Sequence, residues 1–340
     1  MHMNFSVGTG RITDIQQAAQ LARTAEESGY TRISFPDTPA FNRDVHVMMT
    51  IAALNTHRIH VGQGFTDPFT FHPFVIANAT ATVDELSGGR AYVGLGAGGP
   101  YGKSMKPVPI QELRDAVQFI KAYTSGEEVE WKGARLHSEW IRRPLPIYLA
   151  VEGPKACQLA GELADGIVFL GVHPEHVKWR LELIEKGAQK VGRRLSDIDI
   201  CARGVVYPCK SKEEALSGIS PHFAGLEYMY NAFQNPTPDM AELRKRLDQA
   251  DPGLTETLIK DYDTFAARRQ KGDEHQWSKV VSQRSLDFFS LAGTPNEITH
   301  RIEELGGLGV SNISTMLYTP MDKNQLMRLI SDTIMPDFSN

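Results

Sequence analysis

The sequence lacks the features that mark several specialised protein classes. Only three cysteines occur in 340 residues, Cys157, Cys201 and Cys209, and none of them form a CxxC pair. A zinc site or a disulfide framework is therefore not expected, and a reducing cytoplasm suits the chain. No run approaches about 18 uninterrupted apolar residues, and the N-terminus has neither the basic nor the apolar region of a signal peptide. We therefore expect no membrane span.

The sequence also lacks an excess of positive charge, with 36 Lys and Arg against 41 Asp and Glu. The formal net charge is −5 and no basic run occurs, so the chain is a poor candidate for binding nucleic acid or an anionic membrane. The eleven histidines show no HxxxH or HxH spacing, and no Gly-x-Ser-x-Gly motif is present. A catalytic metal and the usual nucleophile triads therefore have no support in the sequence.

The composition is that of an ordinary globular protein, with 41% hydrophobic and 23% charged residues. Short β-branched or apolar runs alternate with amphipathic helical patterns, which predicts an α/β fold. Eight such repeats favour a (β/α)8 TIM barrel, and an open doubly wound sheet is the alternative. The eight candidate strands begin near Met3, Thr31, Arg58, Arg90, Pro146, Gly166, Ile198 and Asn312.

One interval interrupts this alternation. We expect a single TIM-barrel domain over 1–335, with a long, mostly helical insertion at 210–290 between strands 7 and 8. An insertion in a βα loop lies over the catalytic face of a barrel, so it is either a lid or a packing or interface subdomain. A smaller insertion at 127–143 is expected to form a hairpin through Lys132-Gly133.

Glycine-rich segments follow two of the predicted strands. Gly94 to Gly99 match G-x-G-x-x-G, but no helix opens directly on these glycines, which argues against a dinucleotide site. The preferred interpretation is a strand end where a flat ligand approaches the backbone. The segment 62–68 predicts a sharp bend at the end of the third strand. Asp37, after the second strand, is either a ligand partner or part of an Asx turn.

Two further strand ends open helices with proline at the first position. Glu152-Gly153-Pro154 follows the fifth strand, and Gly171-Val172-His173-Pro174 follows the sixth. The free N–H groups and the dipole at a helix N-terminus favour phosphate binding there, and two neighbouring helix N-termini could share one phosphate. The alternative is ordinary helix capping.

Five further segments form a recognisable signature: His72-Pro73, Thr82 to Arg90, Val93 to Gly98, Leu159 to Gly166 and Gly293 to Glu297. Together they resemble the luciferase-like superfamily of flavin- and deazaflavin-dependent oxidoreductases. Within it, Asn42-Arg43-Asp44-Val45 and the segment 62–68 are similar to the methylenetetrahydromethanopterin reductase branch, which uses coenzyme F420.

The resemblance implies a non-prolyl cis peptide at Gly64-Phe65 that backs the central ring of the cofactor. It places phosphate near Glu152–Pro154 and Gly171. The cofactor-binding residues that it implies are Asp37, Gly64, Phe65, Thr66, Gly98, Gly102, Glu152, Gly153, Pro154, Leu170 and Gly171.

For catalysis we expect Asp37 and Thr66 to hydrogen-bond cofactor or substrate. The candidates for proton donation are Tyr101, His173 and Tyr318, since strand-end positions could face the pocket. At several positions where the reductase branch has acidic residues, a basic residue or histidine, this sequence has a different residue. The replacements imply a more apolar pocket, and they are Ser6, Gly8, Thr38, Phe71 and Gly98-Gly99.

The expected function is hydride transfer between a deazaflavin or flavin cofactor and a small organic substrate, with F420 slightly favoured over FMN. One alternative is a two-component monooxygenase that uses reduced FMN and oxygen, and another is a non-catalytic flavin-binding barrel. A flavin or F420 reductase is a candidate partner. We also expect a homodimer or larger homo-oligomer.

Overall fold

The strands of the main sheet are buried and pair in parallel, as expected for a sheet covered on both faces. The computed structural model describes residues 2–12, 14–39, 41–98, 107–131, 133–141, 143–219, 223–234, 236–269 and 281–338. The strands are β1 Asn4–Gly8, β2 Arg32–Phe35, β3 His60–Gln63, β4 Ala91–Leu95, β5 Val129–Trp131, β6 Ala134–Leu136, β7 Ile147–Ala150, β8 Gly166–Leu170, β9 Asp199–Pro208, β10 Ser290–Gly293 and β11 Asn312–Met316.

Helices alternate with these strands along the chain. They are α1 Gln16–Glu27, α2 Val45–Leu54, α3 Pro73–Leu86, α4 Ile110–Thr124, α5 Pro154–Leu163, α6 Pro174–Lys190, α7 Lys212–Gly218, α8 Phe223–Gln234, α9 Pro238–Ala250, α10 Leu254–Arg269, α11 Gln283–Phe289, α12 Pro295–Leu308 and α13 Lys323–Thr333. None of the helices within the described ranges has the length and apolar character that crossing a membrane requires.

The chain forms two compact units. Unit A comprises Phe5–Val168 and Ile184–Ile200, and unit B comprises Met1–Asn4, Phe169–Leu183 and Cys201–Asn340. In unit A the strands run in the parallel order β1-β2-β3-β4-β7-β8. The register is set by pairs such as Val7 with Ile33 and Ile33 with Val61. The carboxyl ends of these strands therefore lie along one edge of the sheet.

Unit B has the parallel order β10-β9-β11, with Cys201 opposite Asn312 and Val205 opposite Ser290. The pairings that complete the ring of strands are made inside the units. Asn4 N–H donates to the Ser311 carbonyl at 3.0 Å within unit B, and Asp199 N–H donates to the Asp165 carbonyl at 3.1 Å within unit A. The predicted (β/α)8 TIM barrel is therefore confirmed.

The sequence patterns explain why these elements form. Ala18, Ala19, Ala22 and Ala25 recur at helical spacing, and all four are buried in α1. Thr294 caps α12 in a full capping box with Glu297. Helix α1 begins at Gln16 with Ile15 as its N-cap, and Thr13, which helical spacing also offers as a cap through Gln16, lies outside the described residues.

The two insertions have distinct structures. Strands β5 and β6 form an antiparallel hairpin within 127–143, while Lys132 lies outside the described residues. Helices α7 to α11 occupy the segment 210–290 and belong to unit B. The strand β10 at the end of that segment was not predicted, because its four residues include Gly293 and lack a β-branched run. The single-domain description of 1–335, with a lid or interface role for 210–290, stays a prediction.

Candidate active site

In unit A, the predicted site residues follow the carboxyl ends of four adjacent parallel strands. Asp37 follows β2, Gly64 to Thr66 follow β3, Gly98 follows β4 and Glu152 to Pro154 follow β7. Since β2, β3, β4 and β7 are neighbours in that order, the structure brings these residues to one edge of the sheet. In barrels of this class that edge carries the active site.

The chain bends sharply after β3. The Gly64–Phe65 peptide bond is cis, which confirms the expectation from the resemblance. Gly64 N–H donates to the Phe35 carbonyl at 2.7 Å. Thr66 N–H donates to the Gly94 carbonyl at 3.0 Å, and Gly96 N–H donates to the Thr66 carbonyl at 2.9 Å. The segment 64–66 is therefore held by backbone bonds to the ends of both β2 and β4.

Glycines within and just after β4 make this close approach possible. A Cβ atom on Gly94 would lie 1.9 Å from the Gln63 carbonyl oxygen and 3.0 Å from the Phe65 ring. Such distances exclude any side chain unless the backbone shifts. Gly98 has φ +81°, in the left-handed region that favours glycine. Together these glycines expose backbone rather than side chains at this edge.

Asp37 is the most perturbed acid at this edge. It is 4% exposed, and burial raises its pKa to about 6. The nearby Thr66 hydroxyl group lowers the pKa, whereas the carboxylates of Asp67 and Asp44 raise it further. Near neutral pH this carboxyl group therefore exchanges between a proton donor and a proton acceptor, as general acid–base chemistry requires.

Two buried residues at this edge were missed by sequence reasoning. Asp67 accepts hydrogen bonds from the backbone N–H groups of Phe69 and Thr70 at 3.0 and 2.8 Å. Its place before Pro68 is typical of an Asx turn, and that signal could have found it. Gln63 donates from Nε2 to Thr80 Oγ1 at 2.7 Å and accepts from Gly94 N–H at 3.0 Å. No sequence pattern marks such a glutamine, because its partners are distant in the chain.

The N-terminus of α5 also lies at this edge. Gly153 is the N-cap, has no side chain to accept from the first turn, and is followed by Pro154. Glu152 is partly buried in the loop that leads to it. The first-turn amides of α5 therefore have no side-chain cap, as an anion-binding helix terminus requires.

In unit B, Leu170, Gly171 and His173 follow one another at the end of β8. Gly171 has φ +102°, and its N–H donates to the Arg203 carbonyl at 3.0 Å. The His173 ring stacks on Phe288 with centroids 5.3 Å apart. Burial lowers the pKa of His173, and the charge of Arg301 lowers it further. The imidazole is therefore neutral at pH 7 and does not carry the second proton that a catalytic acid would donate.

Tyr318 follows β11 in the same unit. Burial raises its pKa, and the positive charge of Arg203 opposes the rise. Arg203 is buried on β9 and donates from Nε to Ser314 Oγ at 3.1 Å. The phenol therefore stays protonated over the physiological range, as a proton donor must.

Some predictions lie beyond what the structure describes. Tyr101 and Gly102 are outside the described residues. The idea that the loops at Gly153 and Gly171 share one phosphate stays a prediction. Within the described ranges, no group of three or more His, Cys, Asp or Glu side chains is arranged to hold a metal ion.

Comparisons with known proteins agree with the geometry. The chain is 30% identical over 323 residues to 5,10-methylenetetrahydromethanopterin reductase of Archaeoglobus fulgidus, an alignment that covers 92% of this chain and 93% of that protein. The coenzyme F420-dependent tetrahydromethanopterin reductase of Methanopyrus kandleri superposes with a TM-score of 0.79, 25% identity and full coverage of both chains.

A more distant structure shares the fold alone. The oxygenating component of 3,6-diketocamphane monooxygenase from Pseudomonas putida, in complex with FMN, has a TM-score of 0.64 at 15% identity and covers 100% of this chain and 99% of its own. The relatives are oxidoreductases, which confirms the predicted enzyme class. The sequence pattern of luciferase-like monooxygenases matches residues 3–312. The chain therefore belongs to the luciferase-like monooxygenase family.

Proposed function

We propose that this chain is a coenzyme F420-dependent oxidoreductase that transfers a hydride between the deazaflavin and a small organic substrate. The proposal is carried by the buried Asp37 carboxyl, with its pKa near 6, beside the backbone segment 64–66 at the carboxyl edge of β2 to β7. The relatives at 30% and 25% identity over nearly the whole chain support it.

The residues of unit A fit a flat cofactor that carries a phosphate. Gly64, Gly96 and Gly98 present backbone without side chains, and the α5 N-terminus at Gly153 offers uncapped amides. When bound, the deazaflavin ring accepts or gives up a hydride. In this proposal the segment 64–66 backs the ring, and the amides that follow Gly153 and Pro154 bind the phosphate.

Asp37 would hold the proton that accompanies hydride transfer. Because Asp37 is buried beside Asp67, it keeps this proton to a higher pH than an exposed aspartate would. Thr66 would tune that affinity through its hydroxyl group. For unit B by itself, we propose that Tyr318 can donate a proton to a ligand and that His173 binds ligand without donating, since burial keeps its imidazole neutral.

Cofactor titration tests the proposal directly. The purified protein is titrated with F420 and with FMN while ring absorbance and fluorescence are followed. We expect F420 to bind more tightly than FMN, with a Kd below about 100 μM. Reduced F420 should then be oxidised only when an acceptor is added, and a methylenetetrahydropterin is the first acceptor to try. If neither F420 nor FMN binds, the proposal is overturned.

A second candidate function follows from the family itself. A two-component monooxygenase that uses reduced FMN and oxygen is favoured by the match to luciferase-like monooxygenases over 3–312. This function predicts that the protein consumes oxygen when reduced FMN and substrate are present. A flavin reductase would be the partner that supplies the reduced FMN. A non-catalytic flavin-binding barrel instead predicts tight binding with no turnover of either reduced cofactor.

We further propose that two or more copies of the chain associate. Several large apolar side chains around α2 and α3 are exposed, and isolated chains seldom leave so many uncovered in one region. Light scattering should give at least twice the 37.8 kDa of the chain. The three buried thiols are consistent with work in a reducing cytoplasm, which we include in the proposal. The exposed residues are Phe41, Val47, Leu54, Phe69 and Val75.

A further inference from the structure

The side chain of Gln63 replaces a backbone partner between β3 and β4. The last pair of their parallel ladder is Gly62 with Tyr92, and Gly94 lies beyond it. The N–H group of Gly94 donates instead to Gln63 Oε1, at 3.0 Å. A buried N–H group needs an acceptor and can only donate. This bond therefore fixes the amide of Gln63, with its oxygen toward Gly94 and its NH2 group turned away.

The NH2 group of Gln63 faces two other side chains. Its Nε2 atom donates to Thr80 Oγ1 at 2.7 Å and lies 3.3 Å from His46 Nε2. Because the amide nitrogen has only protons to offer, His46 Nε2 is the acceptor in this contact. The imidazole is then neutral and carries its single proton on Nδ1. Gln63 and Thr80 are both fully buried, so solvent does not reach the bond between them.

The surroundings of His46 favour the neutral ring. The side chain is 13% exposed, and the ring meets Phe71 edge-on with centroids 5.9 Å apart. Burial lowers the pKa of His46, and the carboxylate of Asp44, 3.9 Å from Nδ1, raises it by a smaller amount. Asp37 and Asp67 follow the neighbouring strands, and neither is among the charges that shift this pKa. The ring is therefore neutral at pH 7 and takes up a proton only at a lower pH.

The charged groups of the elements around α2 lie away from His46. Helix α2 packs against α1, α3, β2 and β3. Arg32 and His60 are the first residues of the two strands, and the acids of α1 and α3 are in the last turns of those helices. Arg23 of α1 bonds Asn55, which follows the last residue of α2. His46 is the second residue of α2, so all these charges lie at the far ends of the elements.

Gly94 connects Gln63 to the edge where the cofactor is proposed to bind. Its N–H group is held by Gln63, and its carbonyl group accepts from Thr66 N–H at 3.0 Å. Gln63 also precedes Gly64 directly in the chain. A shift of the Gln63 side chain therefore acts on the segment 64–66 both along the chain and through Gly94.

A proton on His46 is incompatible with this arrangement. Its Nε2–H group would face the NH2 group of Gln63, and two donors form no hydrogen bond. The amide of Gln63 cannot turn over in response, because its NH2 group would then face the N–H group of Gly94. Protonation of the ring therefore forces the Gln63 side chain away from one of its partners.

We propose that Gln63 and His46 are positioning residues of the cofactor site and that a proton on His46 loosens this site. While His46 is neutral, the amide of Gln63 holds Gly94 and the segment 64–66 in place. The inference rests on the proposed function, because that segment is proposed to back the cofactor ring. Cofactor affinity should therefore fall at low pH for a reason that lies in His46 rather than in the ligand.

Three variants separate the parts of this arrangement. F420 is titrated by fluorescence against wild type, Gln63→Met, His46→Met and His46→Gln. At pH 8 we expect Gln63→Met to weaken binding about tenfold or more, and His46→Met about threefold or more. His46→Gln should bind F420 as wild type does, because its amide oxygen accepts close to the Nε2 position.

Repeating the titrations at pH 5 measures the effect of the proton. The affinity of wild type should fall about threefold or more beyond any fall in His46→Gln, whose amide takes up no proton. The ionisation of Asp37 and of the ligand is common to both proteins and cancels in this comparison. Equal losses in the two proteins would overturn the role of the proton. Wild-type affinity in Gln63→Met would overturn the role of the amide.

Two exposed residues of unit A provide matched controls. His57→Gln and Gln20→Met make the same chemical changes away from the site, and both should match wild type at each pH. Thermal unfolding reports the folding of every variant. A purely structural role of His46 would lower the unfolding temperature of His46→Met without any pH-dependent difference between wild type and His46→Gln. That pattern would contradict the proposal.

A nitrogen-15 NMR titration is independent of the cofactor. In wild type, the His46 imidazole should carry its proton on Nδ1 at pH 8, and the backbone N–H signals of Gly94 and Thr66 should move as the ring takes up a second proton. In His46→Gln that part of the movement should be absent. If neither cofactor binds wild type, the proposed function fails while these signals still support the positioning role. A proton on Nε2 at pH 8, or equal movement in both proteins, would show that the role is wrong.

Discussion

The hydroxyl group of Thr66 lies close enough to the carboxyl group of Asp37 to lower its pKa, against a larger rise caused by burial. The two residues follow neighbouring strands, β2 and β3, and both are almost fully buried. Because Thr66 is fixed to Gly94 and Gly96 by backbone bonds, its position is set by the end of β4 rather than by Asp37. The protonation of Asp37 therefore depends on a residue that the sheet holds in place.

Removing this hydroxyl should raise the pKa of Asp37. In Thr66→Val the polar hydroxyl group that lowers the pKa is lost while burial and the Asp67 charge remain, so the pKa should move above the value of about 6 in the wild type. A carbon-13 NMR titration of the aspartate carboxyl groups measures the change. When turnover is measured as a function of pH, the alkaline limb of the profile should shift in the same direction, to higher pH.

The matched control is Thr70→Val. The Thr70 hydroxyl is also buried, has no partner in the described part of the chain, and has no effect on Asp37. This variant should leave the Asp37 titration where it is in wild type. An unchanged Asp37 pKa in Thr66→Val would show that the hydroxyl does not act on this carboxyl.

Asp37 should make the protein less stable as the pH rises. Its pKa is about 6 in the folded chain and about 3.9 when unfolded, so between these values the folded state binds more protons. Stability should therefore fall from about pH 4 to pH 6 and stay lower above it. Asp37→Asn removes the ionisation and should gain on the order of 1–2 kcal/mol at pH 8, after allowance for solvent screening.

Urea unfolding at pH 4 and pH 8 tests this prediction. The gain of Asp37→Asn over wild type should be present at pH 8 and nearly absent at pH 4. Cofactor-dependent turnover should fall in the same variant, because an amide cannot release a proton. A variant equally stabilised at both pH values would point to packing rather than ionisation as the cause.

A charged cluster at the opposite ends of the strands should contribute to stability rather than to function. Arg32 and Asp199, which begin β2 and β9, form an ion pair, and Tyr148 bonds both of them at 2.8 and 3.0 Å. Arg32 also lies 4.6 Å from the Tyr148 ring centre. Because Asp199→Asn leaves a half-buried guanidinium without its charge partner, it should cost about 2–3 kcal/mol.

The comparison for this cluster is an exposed ion pair. Glu128 and Arg135 face each other at 3.7 Å in the β5–β6 hairpin, with side chains 65% and 76% exposed. Glu128→Gln should leave the urea midpoint unchanged, since exposed pairs contribute little. Cofactor affinity should be unaffected in Asp199→Asn as long as it is folded. Equal stability of the two variants would contradict the importance of the Arg32 cluster.

The sequence predicted the repeating elements well and the contacts between distant residues poorly. Buried apolar runs identify parallel strands without any knowledge of the fold, and glycine and proline mark where those strands end. Gln63 could not be predicted, because it is a polar residue whose burial depends on partners, Thr80 and Gly94, that only folding brings near. The pKa of Asp37 likewise depends on Asp67 and Thr66, whose approach requires the bend after β3.

Gly94 gives the sharpest test of that bend. A methyl group there would overlap the Gln63 carbonyl oxygen, which belongs to the backbone and cannot rotate away. Gly94→Ala should therefore separate the ends of β3 and β4 and cost at least about 2 kcal/mol, as overpacking in a rigid core does. It should also abolish cofactor binding. Gly307→Ala, in α12 with nothing within 4 Å, should instead add about 0.5–1 kcal/mol.

Gly96→Ala separates folding from binding. A methyl group on Gly96 would lie 3.5 Å from Ala150 Cβ, 3.9 Å from Gly98 N and 4.0 Å from Phe65 Cβ. These are ordinary contacts, so urea unfolding should match wild type. If a flat ring approaches the backbone at this edge, the methyl group occupies part of its space, and the Kd for F420 should rise about tenfold or more. A Gly96→Ala protein that binds F420 with wild-type affinity would show that the ring lies elsewhere. Loss of stability in this variant would show that the glycine serves packing alone.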